Sequence, residues 1–277
     1  MMFGLMFGMG LALTPSDFRR IVQVPGAVIT GTILQLVVMP LVGFGLALFY
    51  ELPPLLAVGL MVCAACPGGM GSNLFVYLAR ANTALSITLT ASATAVSLVT
   101  LPLWIRAMQA AVGTQTGEVA VPLFDMVIEL GGLTVLPVTA GMLARGLHAP
   151  AARLERPLAV GSSLGLVGFM VVDSLARPSL PLDLFAESFA PVMWLAGAGA
   201  LLGLLVPRWL GQSAADAVTI SVELCLRNIL LGIVIVSISF TAFEPNIPLF
   251  LYSAVMIPPT ILILVLFRLR QGRAGNS

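Results

Sequence analysis

The chain contains no lysine, one histidine and three cysteines, and only 9% of its 277 residues are charged. Each scarcity excludes something. A soluble domain needs far more charge than this to keep its surface wet. With no run of like charges, there is no electrostatic footprint for nucleic acid. So few polar residues supply neither a zinc motif nor a His/Cys/Asp nucleophile arrangement, so an enzyme is not expected. Cys63 and Cys66 form a lone C-x-x-C. Without a second pair or a histidine cluster they read, like Cys225, as small apolar helix residues. Also missing is the two-residue alternation that marks the strands of a membrane barrel.

What the chain has is apolar length: 59% of residues are hydrophobic and the mean hydropathy is +1.06. Apolar runs of about 17–25 residues recur along it, the length a helix needs to cross ~30 Å of hydrocarbon. Backbone groups in lipid must bond within their own segment, so these runs are expected to be helices. Nine segments are read, at roughly 1–13, 25–49, 53–79, 82–105, 122–144, 157–173, 188–206, 213–240 and 247–267. The expected fold is an all-α polytopic membrane protein with nine transmembrane helices. Its first segment would form only about 20 Å of helix, too short to span alone. Without a basic leader or a small-residue cleavage site it reads as a shortened helix, not a signal peptide. Gly4, Gly8 and Gly10 suit it to close packing.

All 13 basic residues are arginines. Sorted by alternate loops, Arg19, Arg20, Arg80, Arg145, Arg153, Arg156, Arg208, Arg268, Arg270 and Arg273 fall on one side. Only Arg106 and Arg177 fall on the other, and Arg227 lies inside a segment. Positive charge marks the cytoplasmic face, so the expected arrangement in an inner membrane has the N-terminus outside and the C-terminus cytoplasmic.

Two segments are interrupted. The third reads Pro67-Gly68-Gly69-Met70-Gly71-Ser72-Asn73 in its middle. Proline and glycine should break the helix at mid-membrane depth, with Ser72 as the N-cap of the resuming half. The eighth carries Thr219, Ser221, Glu223, Arg227 and Asn228 within an apolar run. An intramembrane Glu or Arg costs at least about 2.5 kcal/mol unless paired or hydrated. The two are four apart, which would allow an intrahelical pair. A broken segment in each half, polar at the break, is the pattern of an inverted-repeat transporter. There half-helix N-termini suit an anion, while carbonyls, hydroxyls and a Glu suit Na⁺. Asp125 and Glu129, four apart in the fifth segment, and His148 in a basic loop are weaker candidates.

The run Cys66-Pro67-Gly68-Gly69-x-x-Ser72-Asn73, then Tyr77-Leu78-Ala79-Arg80-x-Asn82-x-Ala84-Leu85-Ser86, resembles the bile acid:sodium symporter family. So do Phe7-Gly8-Met9-Gly10-Leu11 and Pro15-Ser16-Asp17-Phe18, and the resemblance covers nearly the whole chain. It implies a ten-helix inverted-repeat fold that here lacks its first helix. A core domain (helices about 25–105 and 188–267) would hold two broken crossing helices, beside a panel domain (about 1–13 and 122–173). It implies secondary active, sodium-coupled symport of a small organic anion, bile-acid-like or another carboxylate, by alternating access across the lipid bilayer.

Carried over position by position, the first sodium site maps to Ser72, Asn73, Ser86, Thr90 and Glu223. The second maps to Gln35, Glu223, Leu224 and Leu226, and its last position, a Gln in the family, is Arg227 here. A guanidinium has no acceptor and cannot ligate a cation. One Na⁺ is therefore expected in place of two, and no other metal. The alternatives are that Arg227 binds the substrate carboxylate, or that the protein is a sodium-independent or proton-coupled carrier with Glu223 taking protons. Met70, Gly71 and Asn228 map to the substrate site, Met70 standing where bacterial relatives have a hydroxyl residue.

Overall fold

The computed structural model describes residues 2–12, 25–113, 123–147, 149–154, 182–240 and 242–274, with isolated positions 157, 158, 161 and 168. These residues are helical almost throughout. In order they form α1 (Met2–Ala12), α2 (Pro25–Phe49), α3 (Pro54–Ala65), α4 (Met70–Leu78), α5 (Thr83–Val112) and α6 (Leu123–Leu147). After a short 3-10 turn at Ala149–Leu154 come α7 (Leu182–Trp209), α8 (Ala214–Cys225), α9 (Ile229–Ser239), α10 (Asn246–Val255) and α11 (Ile257–Ala274). Among the described residues the one bridge between extended backbones joins Gly68 to Arg227.

Four stretches are long and apolar enough to cross a membrane: Pro25–Phe49, Thr83–Val112, Leu182–Trp209 and Asn246–Gln271. Large apolar side chains project outward from them, among them Leu41, Val99, Leu205 and Leu262. An exposed apolar surface of this kind suits lipid, and the chain is a polytopic membrane protein. Two short helices lie inside. Every residue of α3 from Leu56 to Ala65 is buried, as is every residue of α8 from Ala217 to Cys225. Helices α2, α5, α7 and α10 surround α3, while α7, α11, α5 and α4 surround α8.

Several helices outrun the apolar segments read from sequence. The fourth segment, read to 105, continues as α5 to Val112 and stops at Gly113, where φ is +75°. The seventh, read from 188, begins at Leu182 as α7. Hydropathy falls at the first charged residue, whereas a helix runs on through Arg106 or Asp183 because its backbone bonds do not depend on side-chain polarity. The segment at 157–173 lies outside the described residues apart from the isolated positions.

Within α2, residues Leu34–Val38 form a π turn, closed by the Met39 N–H donating to Leu34 O. Such single wide turns inside α-helices concentrate at functional sites. The Trp104 indole N–H donates to Leu36 O at 3.0 Å, pinning the turn to α5. Close packing rests on glycine. Helix α1 lies against α6 where Gly10 meets the Val138 backbone and Gly141 meets the Phe7 and Leu11 backbone, and Arg145 donates to Leu11 O at 2.9 Å. In the same way Gly203 of α7 presses against the Ser221 backbone of α8.

That contact predicts a contrast within one helix. A methyl group at position 203 has backbone in its way, so Gly203→Ala should destabilise the fold by about 1–3 kcal/mol. Gly197→Ala, whose added carbon meets nothing within 4 Å, should leave the thermal midpoint in detergent unchanged. Equal midpoints for the two variants would contradict the packing described.

Candidate ion-binding site at the helix crossover

The first break follows from proline chemistry. Pro67 disfavours helical geometry at the residue before it, and Cys66 is extended at φ −60° and ψ 139°. The chain re-enters helix at Met70 with extended Gly69 as N-cap. Ser72, expected as that cap, instead lies inside the first turn. Its hydroxyl faces Gly69 O at 2.7 Å and Glu223 Oε1 at 2.6 Å, because three residues of glycine-rich extended chain let the helix restart earlier.

The second break has no proline or glycine. Leu226 leaves the helix at φ −89° and ψ 81°, and Asn228 opens α9 by accepting the Leu231 N–H at 3.1 Å. What holds this opening is the other break. Gly69 N–H donates to Leu226 O and Asn228 N–H donates to Pro67 O, both at 2.8 Å. Each interruption thus satisfies backbone groups released by its counterpart, which buried polar groups require.

Glu223, fully buried in the last turn of α8, faces α4 and α5. Ser72 from α4 and Ser86 from α5 donate toward its Oε1, and Thr90 lies 3.2 and 3.0 Å from its two oxygens. The Ser86 hydroxyl is also 2.7 Å from Asn73 Oδ1. All five residues mapped to the first site therefore converge. Three hydroxyls, an amide oxygen and both oxygens of a buried carboxylate thus face one another, an all-oxygen donor set of the kind that a hard cation takes.

The Glu223–Arg227 ion pair that the spacing allows does not form. The helix ends at Cys225, so the two residues do not share a helical face, and Arg227 turns to backbone carbonyls: Ala64 at 2.8 Å, Cys66 at 2.7 Å and Leu224 at 3.1 Å. Of the second mapped set, Gln35 donates to the Glu223 carbonyl at 3.4 Å, while its own Oε1 has no partner. Leu224 O receives Arg227, and Leu226 O is committed to Gly69. Gly71 is exposed with open space around it, and Asn228 is buried. The side chains of Met70, Asp125 and Glu129, and all of His148, lie outside the described residues. Cys63, Cys66 and Cys225 are free and buried, Cys66 in the break itself and not in a helix.

Sequence reasoning missed several participants. Tyr252 of α10 donates to Cys225 O at 3.1 Å. Asn82 caps α5 through the Leu85 N–H and holds Asp216 Oδ1 at 2.7 Å, tying the loop after α4 to the start of α8. An Asn ahead of an apolar run signals such a cap, but carbonyl partners such as Ala64 O leave no mark in a sequence.

The close approach at Gly68 is directly testable, because a side-chain carbon there would overlap the Glu223 carboxylate. Gly68→Ala should lower stability by roughly 1–3 kcal/mol, as other overpacked sites do, while Gly71→Ala should melt like the wild type. A Gly68→Ala protein of undiminished thermal midpoint would place the carboxylate elsewhere.

Residues 1–176 match the profile of the Sodium Bile acid symporter family. The chain is 32% identical over 240 residues to the uncharacterized sodium-dependent transporter YocS of Bacillus subtilis (strain 168), covering 86% of this chain and 72% of that protein. It is 31% identical over 237 residues to the probable sodium/metabolite cotransporter BASS1, chloroplastic, of Oryza sativa subsp. japonica, covering 85% and 57%. With the ileal sodium/bile acid cotransporter of Homo sapiens it shares 29% identity over 251 residues, covering 88% and 69%. The chain spans little more than half the length of the rice protein. With the crossing breaks and the oxygen cage in view, these matches agree: the chain belongs to the sodium bile acid symporter family, whose members are membrane transporters and not enzymes.

Proposed function

We propose that the protein is a secondary active transporter that couples the entry of one Na⁺ to symport of a small organic anion. The observation that carries this reading is the convergence of Ser72, Asn73, Ser86 and Thr90 on the buried carboxylate of Glu223. An ion bound there would draw α4, α5 and α8 together, because each supplies part of its shell. The relatives named above as sodium-dependent or sodium/bile acid transporters support Na⁺ as that ion.

The anion is assigned to the N-terminal ends of α4 and α9, where the positive dipole end favours a carboxylate. Met70 and Gly71 lie at the first, and Asn228 at the second. Gly71 faces open space, which gives a ligand access. Bile-acid-like molecules and smaller carboxylates both fit this chemistry.

Movement is assigned to a core (helices about 25–105 and 188–267) working against a panel (about 1–13 and 122–173) in a nine-span, inverted-repeat arrangement. The tight α1–α6 packing supports treating those helices as one unit. Their contact with α5 includes a small apolar seam of Ile87, Ala91, Val138 and Met142, a surface with no directional bonds to break on sliding. The arginine distribution supports an inner membrane with the N-terminus outside and the C-terminus in the cytoplasm. The three carbonyl bonds of Arg227 favour its standing in for a second Na⁺ over its binding the substrate directly.

In proteoliposomes, uptake of radiolabelled carboxylates, taurocholate among them, should require an inward Na⁺ gradient and vanish when choline replaces Na⁺. Its Na⁺ dependence should show a Hill coefficient of about 1, since one shell is available, and Glu223→Gln should reduce uptake more than about tenfold, a factor that ~1.4 kcal/mol already supplies. Uptake that ignored Na⁺ and followed a pH gradient would favour the proton-coupled alternative, and a coefficient near two would refute single-ion coupling.

A further inference from the structure

Arg227 is only 3% exposed, and among the described residues no carboxylate pairs with it. A buried guanidinium without a counter-charge is strongly unfavourable, so its neutralisation needs a source. Its three bonded acceptors supply one. Ala64 and Cys66 carbonyls end α3, and the Leu224 carbonyl ends α8. Each helix C-terminus carries about half a negative elementary charge, so two converging ends offset about one positive charge. Tyr252 adds order by donating to the neighbouring Cys225 carbonyl.

The crossover thus sorts its charge into two places. Glu223 holds a carboxylate among hydroxyls, and the carbonyl ends hold a cation that is part of the chain. Arg227 fixes its guanidinium through Nη1 and Nε, while Nη2 has no partner. Gln35, bonded to the Glu223 carbonyl one residue before Leu224, contributes a buried Oε1 that also lacks one.

We propose that the Arg227 guanidinium is a tethered cation seated in an ion site formed by the carbonyls of Ala64, Cys66 and Leu224, and that removing its charge opens this place to a second Na⁺. The proposal rests on the symporter reading only in taking Na⁺ as the ion. Without the guanidinium, the Ala64 and Cys66 carbonyls lose their side-chain donor, Leu224 O keeps only the Tyr252 hydroxyl at 3.4 Å, and two helix ends lose their counter-charge. A small monovalent cation restores both. A neutral side chain cannot.

The test uses the purified full-length protein in detergent, radiolabelled Na⁺ alone as the probe, and choline chloride to hold ionic strength constant. The wild type should bind one ion per chain, and Arg227→Lys, which keeps the charge, should also bind one. Arg227→Gln and Arg227→Met should bind two, with a steeper dependence of thermal midpoint on Na⁺. Two ions on the wild type, or one on the folded neutral variants, overturns the proposal. Where the neutral variants unfold in choline, recovery in NaCl supports the second ion and failure to recover in either salt overturns it. A wild type that binds no Na⁺ counts against the symporter reading instead; then one ion on Arg227→Gln still supports this proposal, and none overturns it.

Discussion

Everything in this structure depends on two backbone hydrogen bonds, from Gly69 to Leu226 and from Asn228 to Pro67. A helix that stops inside a bilayer leaves N–H and C=O groups with no water to receive them. One break alone would be untenable there, and two breaks that meet can each complete the other. Once they meet, the consequences are geometric. Glu223 at the end of α8 is carried against the start of α4, and Gly68 must lack a side chain to let the carboxylate in. Arg227, lying in one break, reaches the carbonyl ends of both incoming helices.

How far this was legible in the sequence varies with the chemistry involved. The first break announces itself through Pro67 and its glycines, since proline constrains its predecessor regardless of context. The second, at Leu226–Asn228, carries no such residue, and only polar side chains in an apolar run pointed there. Ser72 and Glu223 stood out at the breaks, Asn73, Ser86 and Thr90 were assigned by resemblance, and the fold gathers all five. The Glu223–Arg227 pair that the spacing allowed is absent because four-residue spacing has meaning only inside a continuous helix. The π turn around Gln35 is written in ordinary apolar residues, Leu34 through Val38, and no local propensity reveals it. Backbone acceptors are invisible for a deeper reason: every residue has a carbonyl, and only the fold decides which ones converge.

Helix α5 connects the site to the periphery. Ser86 and Thr90 point from one face toward Glu223, while Ile87 and Ala91, in the same turns, meet Val138 and Met142 of α6. One stretch of helix therefore touches both the charged centre and the seam with α1 and α6. Any shift of α5 that follows filling of the oxygen cage is felt at that seam within a single turn. Trp104, bonded to Leu36 farther along the helix, ties the same element to the wide turn that presents Gln35.

The position of Arg227 has an electrical consequence. A positive charge covalently bound to the scaffold is never drawn from the outside solution or released to the inside one. A cycle that loads one free Na⁺ and one singly charged anion then translocates no net charge. Such a carrier would draw on the Na⁺ concentration ratio alone, and its accumulation ratio would be indifferent to the voltage across the bilayer.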